Sequence, residues 1–133
     1  MSATRTGLYN KLVNDSGLNT LVSQRVYHAE APEGARFPYV IFSKSSGVKT
    51  RAFQENEAYK WETWLVKGVD RSTSSNLADE VASAIDAALD GGTLTVSGKT
   101  VADLHHVGDV EYVEDSGDQQ YRHAGASYRV VLV

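Results

Sequence analysis

One segment of the chain constrains the fold more than any other, because it is stable only as a helix that buries one side. Between residues 74 and 89, apolar side chains recur every three or four positions, while acidic and serine side chains take the opposite side. The apolar positions are Leu77, Val81, Ala84, Ile85, Ala88 and Leu89. Serines before the segment and Gly91-Gly92 after it supply its boundaries. The alanine-rich side predicts a helix that lies close against a sheet.

Strand patterns on either side of the helix predict that sheet. Residues 39–42 (YVIF) form a run of β-favouring side chains, which is typical of a central strand. Residues 57–69 alternate, so that Trp61 and Trp64 point to opposite faces of a long strand. The polar stretch 43–56 is predicted to be a loop. The β segments predicted after the helix are a hairpin from 93–96 and 100–104, a region reaching 113, and a last strand over 121–133 beyond an acidic turn at 114–118.

The N-terminal region predicts two short helical segments and one strand. Leucine and valine side chains lie close to one face of a helix over residues 6–14. Asp15 or Ser16 can cap a second turn, and residues 25–28 favour extended backbone. This order predicts a single α+β domain over residues 1–133. We expect an antiparallel or mixed sheet, one main amphipathic helix packed on it and a short N-terminal helix.

Composition excludes several classes of site. The chain has no cysteine, so it forms neither a disulfide framework nor a thiolate metal site, which fits synthesis in a reducing cytosol. It has no run of about 18 apolar residues, and its first residues are polar. We therefore expect neither a signal peptide nor a membrane span.

No residue pattern predicts catalysis or a cofactor. His105 and His106 are adjacent on a predicted strand, so their side chains point to opposite faces and cannot easily share one metal ion. The sequence lacks the glycine-flanked serine of hydrolases and the glycine-rich loops of nucleotide-binding proteins. The acidic stretch 109–118 lacks the spacing of a calcium loop and is interpreted as a solvated loop. We expect no catalytic residue, no cofactor and no metal.

Charge is distributed unequally between the two halves of the chain. Residues 1–71 hold ten Lys/Arg against seven Asp/Glu, whereas residues 72–133 hold three against ten. Opposite net charge within one chain favours association between unlike surfaces. Ordinary variation of a mixed surface is the alternative interpretation.

Two features are candidate interfaces with other subunits or partners. The clearest basic stretch, with an aromatic side chain beyond it, consists of Lys44, Lys49, Arg51 and Phe53. Without a regular aromatic pattern it is a weak nucleic-acid signal, and a solvated loop is the alternative. One of the two tryptophans must be covered by a second layer or by another subunit. Trp64 is the candidate for a subunit contact, since tryptophan buries a large area with few rotors to order, and ordinary burial under a loop is the alternative.

Two stretches of the chain resemble a known family. Between residues 25 and 42 the chain contains RVY, AP and PYVIF, and residues 77–91 read LADEVASAIDAALDG. Together, and at this distance from each other, they resemble the tail terminator, or tail completion, proteins of long-tailed bacteriophages. The resemblance implies a small α+β subunit that forms a hexameric ring at the head-proximal end of the tail tube. Such a ring halts tube growth and presents a face to the head.

The resemblance also implies partners and a location. The partners are further copies of the chain, the tail tube protein and a head connector or neck protein, in a virion tail assembled in the host cytoplasm. DNA would pass through the ring without sequence-specific binding. The charge of the chain itself, and not the resemblance, suggests that the acidic C-terminal half lines this channel, where negative charge would keep DNA from sticking. The candidate lumen-facing residues are Asp109, Glu111, Glu114, Asp115 and Asp118. The alternatives are another neck or head-completion ring subunit, a small ligand-binding domain or enzyme, and a monomeric binding module.

Overall fold

The computed structural model describes residues 3–51 and 57–133, which form three helices and one five-stranded sheet. The elements are α1 (Ala3–Val13), α2 (Ser16–Val22), β1 (Val26–His28), β2 (Tyr39–Arg51), β3 (Glu57–Arg71), α3 (Asn76–Leu89), β4 (Val101–Ser116) and β5 (Gln119–Leu132). The strand order is β1-β2-β3-β5-β4, with β1 parallel to β2 and every other pair antiparallel. The predicted α+β class, with a mixed sheet and one main helix, is confirmed.

All three helices pack on one face of the sheet and share a hydrophobic core with it. α3 contributes Val81, Ile85 and Leu89, each fully buried. The helix lies so close to β3 that a Cβ built on Gly68 would come within 2.4 Å of Val81 Cγ1. The close approach predicted from the alanine-rich helix therefore also depends on a glycine in the strand beneath it.

The helix boundaries follow local hydrogen bonds. Asp15 caps α2, because its carboxylate accepts a hydrogen bond from the Leu18 amide at 2.9 Å. α3 begins at Asn76, later than predicted, since the Ser74 hydroxyl accepts from the Asn76 amide and holds the preceding residues in a turn. Gly91, with a φ of +73°, takes the chain away from the helix. Within the described part of the chain, every helix is too short or too polar to cross a membrane.

β2 continues far beyond the four residues predicted for it. Residues 52–56 of the predicted loop lie outside the described part of the chain, and over residues 43–51 the structure has a strand instead, in which the Arg51 backbone pairs with Glu57 of β3. The loop prediction was wrong because polarity was interpreted as irregular structure. This part of β2 lies beyond the three residues that pair with β1, and Lys44 to Gly47 are exposed. Backbone pairing with β3 is therefore enough to form the strand, and apolar side chains are not needed.

Strand pairing after α3 also differs from the prediction. Residues 93–104 do not form a hairpin, because β4 begins at Val101 and pairs with the end of β5. The structure has a single bridge there, between Val96 and Lys99. Leu94 and Val96 are buried in the hydrophobic core. Burial of these two side chains favours the observed path of the chain over a local hairpin with an exposed edge.

The acidic turn is shorter than predicted. β4 runs to Ser116 and β5 starts at Gln119, so Gly117-Asp118 is the whole turn. Glu114 and Asp115 belong to β4, where they pair with residues of β5. Gly117 has a φ of +62°, which is typical of a two-residue hairpin turn.

β4 forms one edge of the sheet and is irregular along its length. Its register with β5 shifts between Val101 and Asp103 and again between His106 and Gly108. Such shifts mark bulges, which twist a strand and interrupt its row of backbone groups. The edge therefore does not present a flat, regular ladder.

Candidate functional site

The sheet has one covered face and one open face. Along β3, Trp64 and Val66 are buried under the helices, whereas Trp61 and Leu65 are half-buried on the other side. β5 alternates in the same way. We call the side away from the helices the open face; on β3 and β5 it consists of alternate residues from 61 to 71 and from 121 to 131.

One end of the open face carries a concave groove of about 1090 Å³. Tyr39 lies in its lining, and the segment 29–37 closes one side. Phe37 of that segment packs on Tyr121 with ring centroids 5.7 Å apart, and the Arg71 guanidinium lies 5.1 Å from the Phe37 ring centre. The groove is therefore lined by aromatic rings and bordered by a cation.

A buried histidine lies in this groove with one ring nitrogen unpaired. His123 is 7% exposed and stacks on Tyr112, with ring centroids 4.3 Å apart. Its Nε2 lies 2.8 Å from a Glu114 oxygen, while no hydrogen-bond partner for Nδ1 occurs among the described residues. Burial lowers the pKa of His123, and the hydrogen bond to Glu114 opposes that effect. The ring is therefore neutral near pH 7, and its buried Nδ1 has an unused lone pair.

A second histidine joins α3 to β4. His106 Nδ1 lies 2.8 Å from Asp86 Oδ1, and its Nε2 lies 2.9 Å from Asp109 Oδ1. The Tyr128 hydroxyl donates to the same Asp86 oxygen at 2.8 Å, and the Asp90 carboxylate accepts from the His106 amide at 2.9 Å. Both ring nitrogens can donate to carboxylates only when the imidazole is protonated. The hydrogen bond to Asp86 raises the pKa of His106 above its ordinary 6.5.

Thermal stability is expected to depend on His106 in mildly acidic solution and not in alkaline solution. The folded chain holds the His106 proton more tightly than the unfolded chain, so this contact stabilises below pH 6.5 and loses its effect as pH rises through the raised pKa. His106→Gln should lower Tm at about pH 6 and leave it nearly unchanged at about pH 9. Unfolding followed by circular dichroism measures both values. In an Asp86→Asn background the pH difference should shrink, and an equal loss of Tm at both pH values would contradict the role of charge.

The predicted basic residues lie on the hairpin formed by β2 and β3. Lys44 is exposed on β2. Lys49 and Arg51 follow on the same strand, where their backbones pair with Lys60 and Glu57. Their side chains, and the whole of residue 53, which is the predicted interface phenylalanine, lie outside the described part of the structure. The hairpin therefore brings at least the backbone positions of these cations together at one end of the sheet.

Trp64 is not at the surface, and its assignment to a subunit interface is corrected. The side chain is 1% exposed within the single chain and donates from Nε1 to Glu62 Oε1 at 3.0 Å. Glu62 is itself buried, and Lys60 and Thr4 contact its other oxygen. The helical layer covers the Trp64 face of β3, so the tryptophan on the uncovered side is Trp61, which is half-buried.

The predicted acidic residues do not form one patch. Asp109 and Glu111 of β4 pair with Ala126 and Ala124 on the helix side of the sheet, whereas Glu114 contacts His123 on the open face. The remaining two, Asp115 and Asp118, lie at the tip of the β4–β5 hairpin and are exposed. The acidic stretch was interpreted as a loop, but most of it belongs to β4. Side chains alternate along that strand, so the carboxylates are divided between its two faces.

The two adjacent histidines bind different carboxylates. His105 Nδ1 lies 2.6 Å from Asp103, and His106 contacts Asp86 and Asp109. Across residues 3–51 and 57–133, no group of three or more His, Asp and Glu side chains is arranged to hold a metal ion. The features that can bind another molecule are therefore surfaces: the open face, its groove and the two hairpin ends.

Comparison with known proteins identifies the family. A family model described as "Tail completion protein gp17" matches residues 6–132, nearly the whole chain. The chain belongs to this family. The family membership predicted from the sequence resemblance is confirmed. The chain is a structural protein of phage tail or neck assembly.

The fold of this tail completion protein also occurs in a solved particle. A chain of the "Virion of native gene transfer agent (GTA) particle" is 20% identical, with a TM-score of 0.76 over 97% of this chain and 94% of that chain. At this identity the likeness shows a shared fold. No curated protein sequence gives a significant match.

Sequence reasoning missed the open face of this tail completion protein. Lys67, His123 and Arg129 lie there, and none of them was a predicted interface residue. A signal was present: at alternate positions of β3 and β5 the open side carries cations and no acidic residue. That signal became usable only when the structure showed which face the helices cover.

Proposed function

We propose that this tail completion protein forms a hexameric ring that caps the head-proximal end of the tail tube, stops tube polymerisation and provides the surface to which the head joins. The family match over residues 6–132 carries the proposal. The open face supports it, since a subunit with one sheet face uncovered has a surface available for further copies. The protein acts through binding surfaces, not through catalysis, in a virion tail assembled in the host cytoplasm.

The β2–β3 hairpin is the proposed contact with the tail tube protein or a neighbouring subunit. Lys44 is exposed there, the backbones of Lys49 and Arg51 continue the same strand, and Phe53 follows them in the sequence. A basic hairpin that projects from one end of the sheet can meet an acidic partner surface and fix its orientation. A head connector or neck protein contacts the other side of the ring.

The β4–β5 hairpin is proposed to face the lumen. Its acidic residues are Asp109, Glu111, Glu114, Asp115 and Asp118. Like charge repels DNA phosphates, so DNA passes through the ring without sequence-specific binding. Although these carboxylates lie on both faces of β4, the exposed ones at the hairpin tip give that end of the subunit a negative surface.

Particles assembled without this protein are expected to carry tails longer than normal and of variable length. Without a cap, tube subunits continue to add to the open end, because nothing removes the growing surface. Electron microscopy of negatively stained tails from a strain with a stop codon early in the gene measures the length distribution, and the protein supplied from a plasmid is the control. Tails of normal length would reject the terminator assignment. Normal-length tails detached from heads would assign the chain to the neck.

A further inference from the structure

The outer side of α3 is acidic and carries small side chains. Asp79 and Glu80 are exposed on it, and the segment from Ser72 to Gly98 contains four acidic residues and no lysine or arginine. Ser83 and Ala87 are exposed on the same helix. A surface of this kind can approach another subunit closely, because few side chains project from it, and it attracts a positively charged partner surface.

The open face of β3 and β5 has the opposite character. Its alternate positions from 61 to 71 and from 121 to 131 include Lys67, Arg71 and Arg129 and no acidic residue. Leu65 is half-buried between the levels of Arg129 and Lys67, and Val131 is half-buried beyond Arg129. The two surfaces lie back to back in one subunit, since α3 packs on the covered face of the same two strands.

Two polar atoms of the open face are buried without partners among the described residues. They are Nδ1 of His123 and Nε of Arg129, both on β5. Lys67 donates to the Tyr112 hydroxyl and lies over the ring of that tyrosine, but neither Lys67 nor Arg129 forms an ion pair with a described carboxylate. The chain itself therefore does not neutralise these two cations, which lie among half-buried apolar side chains. A partner surface that carries carboxylates would neutralise them and would pair their free hydrogen-bond donors.

We propose that copies of this chain assemble face to back, with the outer side of α3 of one subunit packed on the open face of β3 and β5 of the next. Each contact joins two different surfaces, which is a heterologous arrangement, and such contacts build a ring when the rotation from one subunit to the next closes. An isologous pair would place acidic helix on acidic helix, or cationic sheet face on cationic sheet face, and is disfavoured by like-charge repulsion. The inference rests on the proposed ring and names the surfaces that build it.

The absence of cysteine from the chain allows a direct test with the full-length protein. Ser83→Cys places a thiol on the outer side of α3, and Ser127→Cys places one on the open face of β5. With a flexible bis-maleimide, the double variant should form a ladder of cross-linked oligomers, whereas each single variant should stay monomeric on a denaturing gel. The matched control pairs Ser83→Cys with Ser97→Cys, an exposed position off the open face, and should give no ladder.

Charge reversal then separates a specific contact from random collision. Asp79→Lys combined with Glu80→Lys in the double-cysteine protein should reduce the ladder at least tenfold, since it faces the cations of the open face with further cations. Both residues are exposed, so circular dichroism should show an unchanged fold. A ladder unaffected by the reversal overturns the proposal, as does the absence of a ladder at every concentration tested. Overlong tails in the strain with the early stop codon, together with no ladder, would reject this interface and leave the capping function standing.

Discussion

Replacing Ile85 by aspartate is expected to abolish the cooperative unfolding of the chain. Ile85 is 0% exposed, at the centre of the side of α3 that faces the sheet. An isolated carboxylate in an apolar core costs several kcal/mol or more, which is comparable with the roughly 5–15 kcal/mol that stabilises a whole domain. Thermal unfolding by circular dichroism should show no transition, and the variant should bind a hydrophobic dye.

The matched control for this substitution lies on the same helix. Ala87 is exposed, so Ala87→Asp changes the charge of α3 without entering the core. It should cost less than about 1 kcal/mol, because the new carboxylate stays in solvent and only helix propensity and surface charge change. A soluble Ile85→Asp protein with a sharp transition near that of wild type would show that α3 does not lie where the structure places it.

Gly68→Ala is expected to destabilise the domain by about 3 kcal/mol, the upper end of the usual range for overpacked cores. The new methyl group would stand 2.4 Å from Val81 Cγ1 and 2.8 Å from Val81 Cβ, so α3 must move away from β3. Chemical denaturation measures the free energy of unfolding. Val81→Ala in the same chain removes one of the overlapping atoms and should restore part of the lost stability.

Another glycine of the sheet provides the control for Gly68→Ala. A Cβ built on Gly108 of β4 meets no atom of the described structure within 4 Å. Gly108→Ala should therefore change the free energy of unfolding by less than about 1 kcal/mol. If both alanine substitutions lower the free energy of unfolding by the same amount, the close approach of α3 to β3 does not limit packing at Gly68.

The elements that bury apolar side chains were predictable from the sequence. α3 was predicted because a helix that covers a sheet needs apolar residues every three or four positions, and Val81, Ile85 and Leu89 supply them. The start of β2 and the alternation of β3 were predicted because burial requires β-favouring residues there. In these segments, local pattern and tertiary environment impose the same requirement.

Pairing between distant strands was not predictable in the same way. Polar residues 43–51 form a strand only because β3 lies alongside them, and nothing in their own pattern distinguishes a strand from a loop. Val101 pairs with Leu132 at the other end of the C-terminal region, although a local hairpin was closer in sequence. Register between distant segments depends on the whole sheet, so a local pattern does not specify it.

The candidate surfaces were predictable in part for a related reason. Alternation showed that Trp61 and Trp64 lie on opposite faces of β3, and the choice of Trp64 as the surface residue was wrong because alternation does not identify the face that the helices cover. Lys67 and Arg129, the cations of the open face, were missed for the same reason. The basic and acidic hairpin residues were assigned to an interface and to the lumen because their charges are clustered along the chain, and those assignments stay predictions.

The irregular edge of the sheet has a consequence for a protein that must associate with itself. A regular edge strand invites another chain to add by backbone hydrogen bonds, without regard to side chains and without a natural end. β4 has two register shifts, and acidic side chains such as Glu111 and Asp115 are exposed along it. Growth into fibrils through the β4 edge is therefore suppressed, so on that side of the sheet self-recognition is left to side-chain surfaces, where geometry can limit the number of copies.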